Sequence, residues 1–322
     1  MQWTYTKHVD GIQFVPVTYP FNRPDGILIN NLELQRLIDY INERNTQKAF
    51  IQGMSDFEFL RQCPSLEYLS IELQLPFREY GELQVRGKNL IKKYNLDCLY
   101  DLPGLKSISI YNNEMPDIKP ELQLDLERLT ELQKYSGEYA FISNTDNPSL
   151  KCLALNGYKE RNLNKLVGLK NLETIDLTSS KLGSLDGCEA LSRLQCLYLY
   201  YNRTLKDIHA LDAARNSLKA LRIVNCPKIE DFSVLGELEN LELLHLYGKN
   251  VLPSLDFIKK MKNLKTFIFY MPVLDGDLSP CLNLSYVHSG IDRRHYNIKD
   301  KDLPKNHYVW GNEDLEEWIR LE

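Results

Sequence analysis

The chain has 322 residues, 43% hydrophobic and 26% charged, and its 39 basic and 44 acidic side chains leave a net charge of −5. This is the composition of a folded protein with a sizeable core, and without a Lys/Arg block it offers no footprint for gripping a phosphate backbone, so nucleic acid is excluded as the expected partner. No stretch approaches roughly 18 uninterrupted apolar residues, and Met1 to Lys7 lacks the apolar segment of a secretory signal, so no membrane association is expected and the chain reads as soluble and cytoplasmic.

At the start, Trp3 to Lys7 and Ile12 to Val15 flank Asp10-Gly11, a dipeptide suited to a tight hairpin turn. Asn31 then stands where a helix cap is expected, ahead of the amphipathic run Leu32 to Ile41. Together these predict an N-terminal cap over residues 1–45, followed by a first, imperfect strand at Lys48 to Ile51.

Residues 46–290 carry an internal repeat. The clearest unit places apolar residues at Leu172, Ile175, Leu177, Leu182 and Leu185, and the next repeats them at Leu194, Leu197, Leu199 and Leu205. Further units begin at Leu66, Leu105, Leu150, Leu218, Leu241 and Leu264, with degenerate copies at Leu132/Tyr135 and Leu284/Val287. From Leu150 onward the spacings are 22, 22, 24, 23, 23 and 20 residues. The alternation in each unit suits a strand buried on one face, and three-residue spacings such as Leu163, Leu166, Leu169 suit a turn-rich or short helical return.

Three residues past the last strand leucine, Asn113, Asn202 and Cys226 occupy a place where a buried polar group can satisfy the turn backbone, with Ser180 a weaker substitute. Irregular coils are expected at Gly137/Glu138 and around Lys249. One unit is far longer than the rest, 39 residues from Leu66 to Leu105, with an insertion at 72–96 that reads as a loop or a binding element. Beyond the repeat, residues 291–322 are expected to form a C-terminal cap in which Tyr296, Tyr308 and Trp310 seal the last coil and Asn312 caps a helix over Glu313 to Leu321.

The repeat resembles the leucine-rich-repeat family, most closely the roughly 22-residue class shared by bacterial internalins and a regulatory subunit of type-1 protein phosphatases. That resemblance implies an α/β fold: a right-handed horseshoe or arc of about ten coils with a concave parallel sheet, closed at both ends because an open stack must cover its terminal coils. It also implies a bacterial source and protein binding as the function, as an immunity or adaptor protein; phosphatase regulation, or substrate recognition within an effector enzyme, is the alternative.

In such a fold the variable strand residues line the hollow. Three columns follow from the repeat: Tyr68, Ser107, Cys152, Thr174, Cys196, Ala220, Leu243, Thr266 and Tyr286; Ser70, Ser109, Ala154, Asp176, Tyr198, Arg222, His245, Ile268 and His288; and Glu72, Tyr111, Asn156, Thr178, Tyr200, Val224, Tyr247, Tyr270 and Gly290. Asp176, Tyr198, Tyr200, Arg222, His245, Tyr247, Tyr270, Tyr286 and His288 are the candidate partner-binding residues, because tyrosine and arginine bury area while still offering polar contacts. The same tyrosines could instead simply pack on one another. Asp176 and Arg222 flank Tyr198 and are expected to pair over its ring.

No phosphate loop, nucleophile elbow or zinc-protease motif is present. The backbones of His245 and His288 are kept roughly 10 Å apart by the intervening Ile268 strand, so a two-histidine metal site would need extra ligands, and no catalytic residue, metal or cofactor is expected. Seven cysteines without a C-x-x-C pair read as buried free thiols, and Cys152 and Cys196 are separated by the Thr174 coil. A monomer that binds an unspecified protein partner is the expectation.

Overall fold

The computed structural model describes residues 7–9, 11–16, 24–74, 90–113 and 118–306. It comprises two compact units, residues 1–151 and 152–322. The expected helix over Glu313 to Leu321, with Asn312, Tyr308 and Trp310, lies outside the described residues, as do Trp3 and most of the 72–96 insertion.

In the first unit, strand β1 (Lys7–Val9) pairs antiparallel with β2 (Ile12–Pro16), and β2 pairs antiparallel with β3 (Pro24–Ile29). Gly11 turns the first hairpin at a φ of 77°, open to glycine because it has no Cβ. From β3 onward the direction is constant: β3, β4 (Lys48–Gln52), β5 (Tyr68–Leu73), β7 (Ser107–Asn112) and β10 (Lys134–Glu138) pair in parallel. The parallel array thus begins one strand earlier than the repeat indicates, inside the stretch assigned to the cap.

Helix α1 (Leu34–Arg44) connects β3 to β4 and buries Leu37, Ile38 and Ile41. Asn31 is not its cap. The Asn30 side chain accepts from the Leu32 backbone N–H, and Glu33 takes a left-handed φ of 56°, so helical geometry starts only at Leu34. From the long coil, β6 (Leu90–Lys93) pairs in parallel with β8 (Ile118–Glu121) of the following coil, and further on β9 (Leu124–Asp125) pairs with β11 (Ile142–Asn144).

The second unit stacks seven parallel strands in one register: β12 (Cys152–Asn156), β13 (Thr174–Thr178), β14 (Cys196–Tyr200), β15 (Ala220–Val224), β16 (Leu243–Tyr247), β17 (Thr266–Phe269) and β18 (Tyr286–Ser289). Their inward leucines and isoleucines have essentially no exposed surface, so stacking buries what no coil could bury alone. Each coil returns through a 3-10 turn, commonly entered by an Asp or Asn that accepts a backbone N–H two residues on, as at Asn162, Asp207, Asp231 and Asp277.

After each of β12 to β15 the chain turns at a left-handed residue: Gly157, Ser179, Tyr201 and Asn225 have φ between 53° and 70°. Their N–H groups donate to the next strand at 2.7–2.9 Å, which holds three non-glycine residues in this unusual conformation. Asn202, fully buried, donates to Leu177 O at 2.9 Å and accepts from Ser180 N at 2.8 Å. Cys226 makes longer sulfur contacts to Leu199 O and Val224 O.

The irregular coils have local causes. Tyr135 is fully buried, and Gly137, where an aliphatic would stand, makes room for its hydroxyl. Around Lys249 an extra residue moves the amide to Asn250, which donates to Cys226 O and Ile229 O. Asn113 departs from expectation: it is exposed and donates to the Glu72 carboxylate. Buried Asn147 takes the bracing role instead, donating to Leu126 O and Leu129 O.

The segment after β18 closes its free edge. Val287 N donates to Pro304 O, Asn306 N donates to Ser285 O, and Tyr286 bridges Lys305 antiparallel. Tyr296 is buried and accepts from Val273 N, as a sealing residue should. All seven cysteines are free and buried.

Candidate functional site

The first two columns read from the sequence match the strand registers of the second unit from Cys152 to His288, and the third matches from Asn156 to Tyr247, with Tyr270 and Gly290 following just past the ends of β17 and β18. They lie on the sheet face opposite the leucine core, because successive strand side chains alternate between faces. In the first unit the equivalent Phe50, Tyr68, Ser70, Glu72 and Ser109 are buried, while Gln52 and Tyr111 are half-buried.

Tyr198 does not project as expected. Its side chain is 6% exposed and packs with Cys196, Ala220 and Leu243, with Tyr200 resting partly on that cluster. The small neighbours explain this: Ala220 and the cysteine leave a depression that the ring fills. Tyr198 is therefore floor, and the Arg222 guanidinium carbon sits 5.0 Å from its ring centroid in a cation–π contact.

The Arg222 charge reaches Asp176 through space, but burial dominates there. It pushes the Asp176 carboxyl up to about 6, against the opposing pull of a hydrogen bond from Thr178 and of Arg222. Burial likewise pushes His245 down to about 4, helped by the positive charge of Arg222. Nε2 of His245 is buried without a hydrogen-bond partner. At neutral pH this histidine is uncharged.

Beyond His245 the side chains form one connected group. Tyr247, 40% exposed, lies with its ring centroid 5.0 Å from that of Tyr270 at an interplanar angle of 55°. The Tyr270 ring is also 6.4 Å from His245 and 5.6 Å from His288, so it fills the gap that separates the two histidines. Its hydroxyl oxygen is 3.2 Å from His288 Nε2. Gly290 permits this lean, since a Cβ there would overlap the Tyr270 ring.

On its other side, His288 Nδ1 is 3.2 Å from Asp300 Oδ1. The same carboxylate accepts from Ser289 N at 2.7 Å and from Lys305 Nζ at 2.8 Å, and Lys305 lies 5.5 Å from the Tyr286 ring centroid. Burial opposes charge on Asp300, but Lys305 and the Ser289 N–H hold its carboxyl below the ordinary range. Asp300 and Lys305 lie outside the repeat, and no periodic signal marks them. Among the described residues no group of His, Cys, Asp or Glu could hold a metal ion, and no helix is long and apolar enough to cross a membrane.

No protein-family model matches the sequence and no curated protein matches it. Among solved structures, the chain is similar to a leucine-rich-repeat protein of Leptospira interrogans (18% identity, TM-score 0.45, covering 83% of this chain and 61% of that one). It is also similar to an internalin, InlF, of Listeria monocytogenes (15% identity, TM-score 0.44, 78% and 83%) and to TLR13 in a complex with ssRNA13 (15% identity, TM-score 0.48, 81% and 46%). The chain thus spans about 61% of the length of the Leptospira protein. The repeat spacing, the in-register parallel strands and the buried Asn202 brace carry the assignment themselves: the chain folds as a leucine-rich-repeat protein of the roughly 22-residue class.

Proposed function

We propose that the protein is a non-catalytic binding module that holds a protein partner against the outer sheet face of its second unit. The observation that carries this reading is the run of aromatic and basic side chains in adjacent strands, Tyr200, Arg222, His245, Tyr247, Tyr270, Tyr286 and His288, with Asp176 at one end and Tyr198 as its floor. Rigid tyrosines offer large contact area at small entropic cost, and interface hot spots are enriched in tyrosine and arginine. The pairing of Tyr247 with Tyr270 fixes the rings without covering them, since Tyr247 keeps 40% of its surface.

The net charge of −5 favours a protein partner over nucleic acid. Seven free, buried thiols suit a reducing compartment, in keeping with a cytoplasmic, monomeric adaptor or immunity-type protein. The test is affinity capture with the wild-type chain and with the Tyr200→Ala/Tyr247→Ala double variant, followed by mass spectrometry and a binding titration with the purified partner. The variant should lose the partner while still unfolding cooperatively, at a melting temperature lowered only by the loss of the two ring contacts. Equal capture by both chains overturns the assignment of this face.

A further inference from the structure

We infer that Asp300 sets the hydrogen-bond polarity of the candidate face, fixing Tyr270 as a contact that can only accept from a partner. This rests on the proposed binding role of that face and adds the chemistry the partner must present at its centre: a donor such as an amine, a guanidinium or an amide N–H.

The argument follows the protons along one chain of contacts. Asp300 is a carboxylate and can only accept. Two of its donors are fixed, the Ser289 backbone N–H at 2.7 Å and the Lys305 ammonium at 2.8 Å, and these hold it ionised and in place. His288 Nδ1, 3.2 Å away, must then carry its proton toward Asp300. A neutral imidazole has one N–H, so Nε2 of His288 is left as a lone-pair acceptor.

The hydroxyl hydrogen of Tyr270 then points at that lone pair across 3.2 Å. What remains on the phenol oxygen is acceptor capacity. A partner carboxylate or carbonyl facing Tyr270 would meet lone pair against lone pair, whereas a donor completes the chain. The Tyr270 ring rests against Tyr247, and a partner acceptor could be met only by turning the hydroxyl away from His288 and giving up that hydrogen bond.

Asp300 is accordingly a positioning residue: it acts on a partner through His288. A merely structural Asp300 would hold the closing segment to β18 without caring which ring nitrogen is protonated. The tautomer of His288 separates the two roles, and it can be read on the isolated full chain without any partner.

The experiment is long-range proton–nitrogen NMR of the histidine rings at a pH of about 8.5, some two units above the ordinary imidazole value, with His288 assigned by His288→Gln. The wild type should show Nδ1 protonated and Nε2 bare, with a protected tyrosine hydroxyl proton close to the His288 ring. Tyr270→Phe should keep Nδ1 protonated, and Asp300→Ala should shift His288 toward the other tautomer. Nε2 protonation in the wild type, a tautomer that follows Tyr270→Phe, or a folded Asp300→Ala chain with unchanged His288 each overturns the inference. If Asp300→Ala does not fold, the wild type and Tyr270→Phe still decide it. Loss or retention of partner capture by the Tyr200/Tyr247 variant leaves this result untouched, so the two readings fail separately.

Discussion

The Tyr247 and Tyr270 rings lie 5.0 Å apart between centroids, tilted by 55°, Tyr247 closing strand β16 and Tyr270 following directly on β17 in the second unit. The sequence placed these residues in one column, and the contact between them leaves Tyr247 as the exposed member. Tyr247→Ala should cost the fold about 0.5–1.5 kcal/mol, the worth of such an aromatic pair. If the ring is a binding hot spot, the same change should weaken partner affinity about tenfold or more. Chemical unfolding and a binding titration on one sample separate the two effects.

Gly290→Ala should act at a distance on this pair. Its Cβ would overlap the Tyr270 ring, which must then leave His288, Tyr247 or both. Overpacking of this kind costs about 1–3 kcal/mol. The expected outcome is a lower melting temperature together with altered Tyr270 and His288 ring signals. Wild-type ring signals in the variant would show that the ring has room to spare.

Asp176 and His245 give opposing pH dependences. The folded Asp176 carboxyl is raised to about 6 from an ordinary value near 4, so the folded state binds the extra proton; that contribution is present below pH ~4 and is lost as pH rises through 6. His245 is lowered to about 4 from about 6.5, so its contribution is present above pH ~6.5 and is lost as pH falls toward 4. Between pH 4 and 6 the two slopes cancel in part. Relative to wild type, Asp176→Asn should therefore lose stability more steeply on acidification and His245→Asn less steeply. Unfolding free energies at pH 4.5, 5.5 and 7 for the three chains provide the check, and parallel curves would contradict it.

Asn202→Ala should be among the most damaging single changes in the second unit. It strands Leu177 O and Ser180 N in a buried turn, at about 1–3 kcal/mol for each group left unpaired. Asn202→Asp should be worse, because a buried carboxylate repels the Leu177 carbonyl that the amide now satisfies. Ser180→Ala, by contrast, leaves the Ser180 backbone bond to Asn202 in place and should be mild. Denaturant midpoints rank the three.

The columns were legible because a parallel strand offers only two faces and the leucines declare which one is buried. Tyr247, Tyr270 and His288 therefore sit where the alternation puts them. The tyrosines turned out less alike than the alternation suggests: Tyr198 sinks between Cys196, Ala220 and Leu243, because depth depends on the size of neighbours one strand away rather than on its own position. Asn31 misled for a similar reason. A cap residue signals a helix start only if the preceding turn delivers the chain in the right conformation, and Asn30 and Glu33 delay it to Leu34.

By itself, then, the sequence determined the repeat, the strand direction, the register and the list of side chains on the outer face, all of which follow from local periodicity and the need to bury one row of leucines. Only the tertiary structure decided that the parallel array starts at β3, that Tyr198 is floor while Tyr247 is rim, and that Asp300 and Lys305 return from beyond the repeat to hold His288. These depend on side-chain volume and on contacts between coils, where the partner of each residue is set by packing rather than by spacing along the chain.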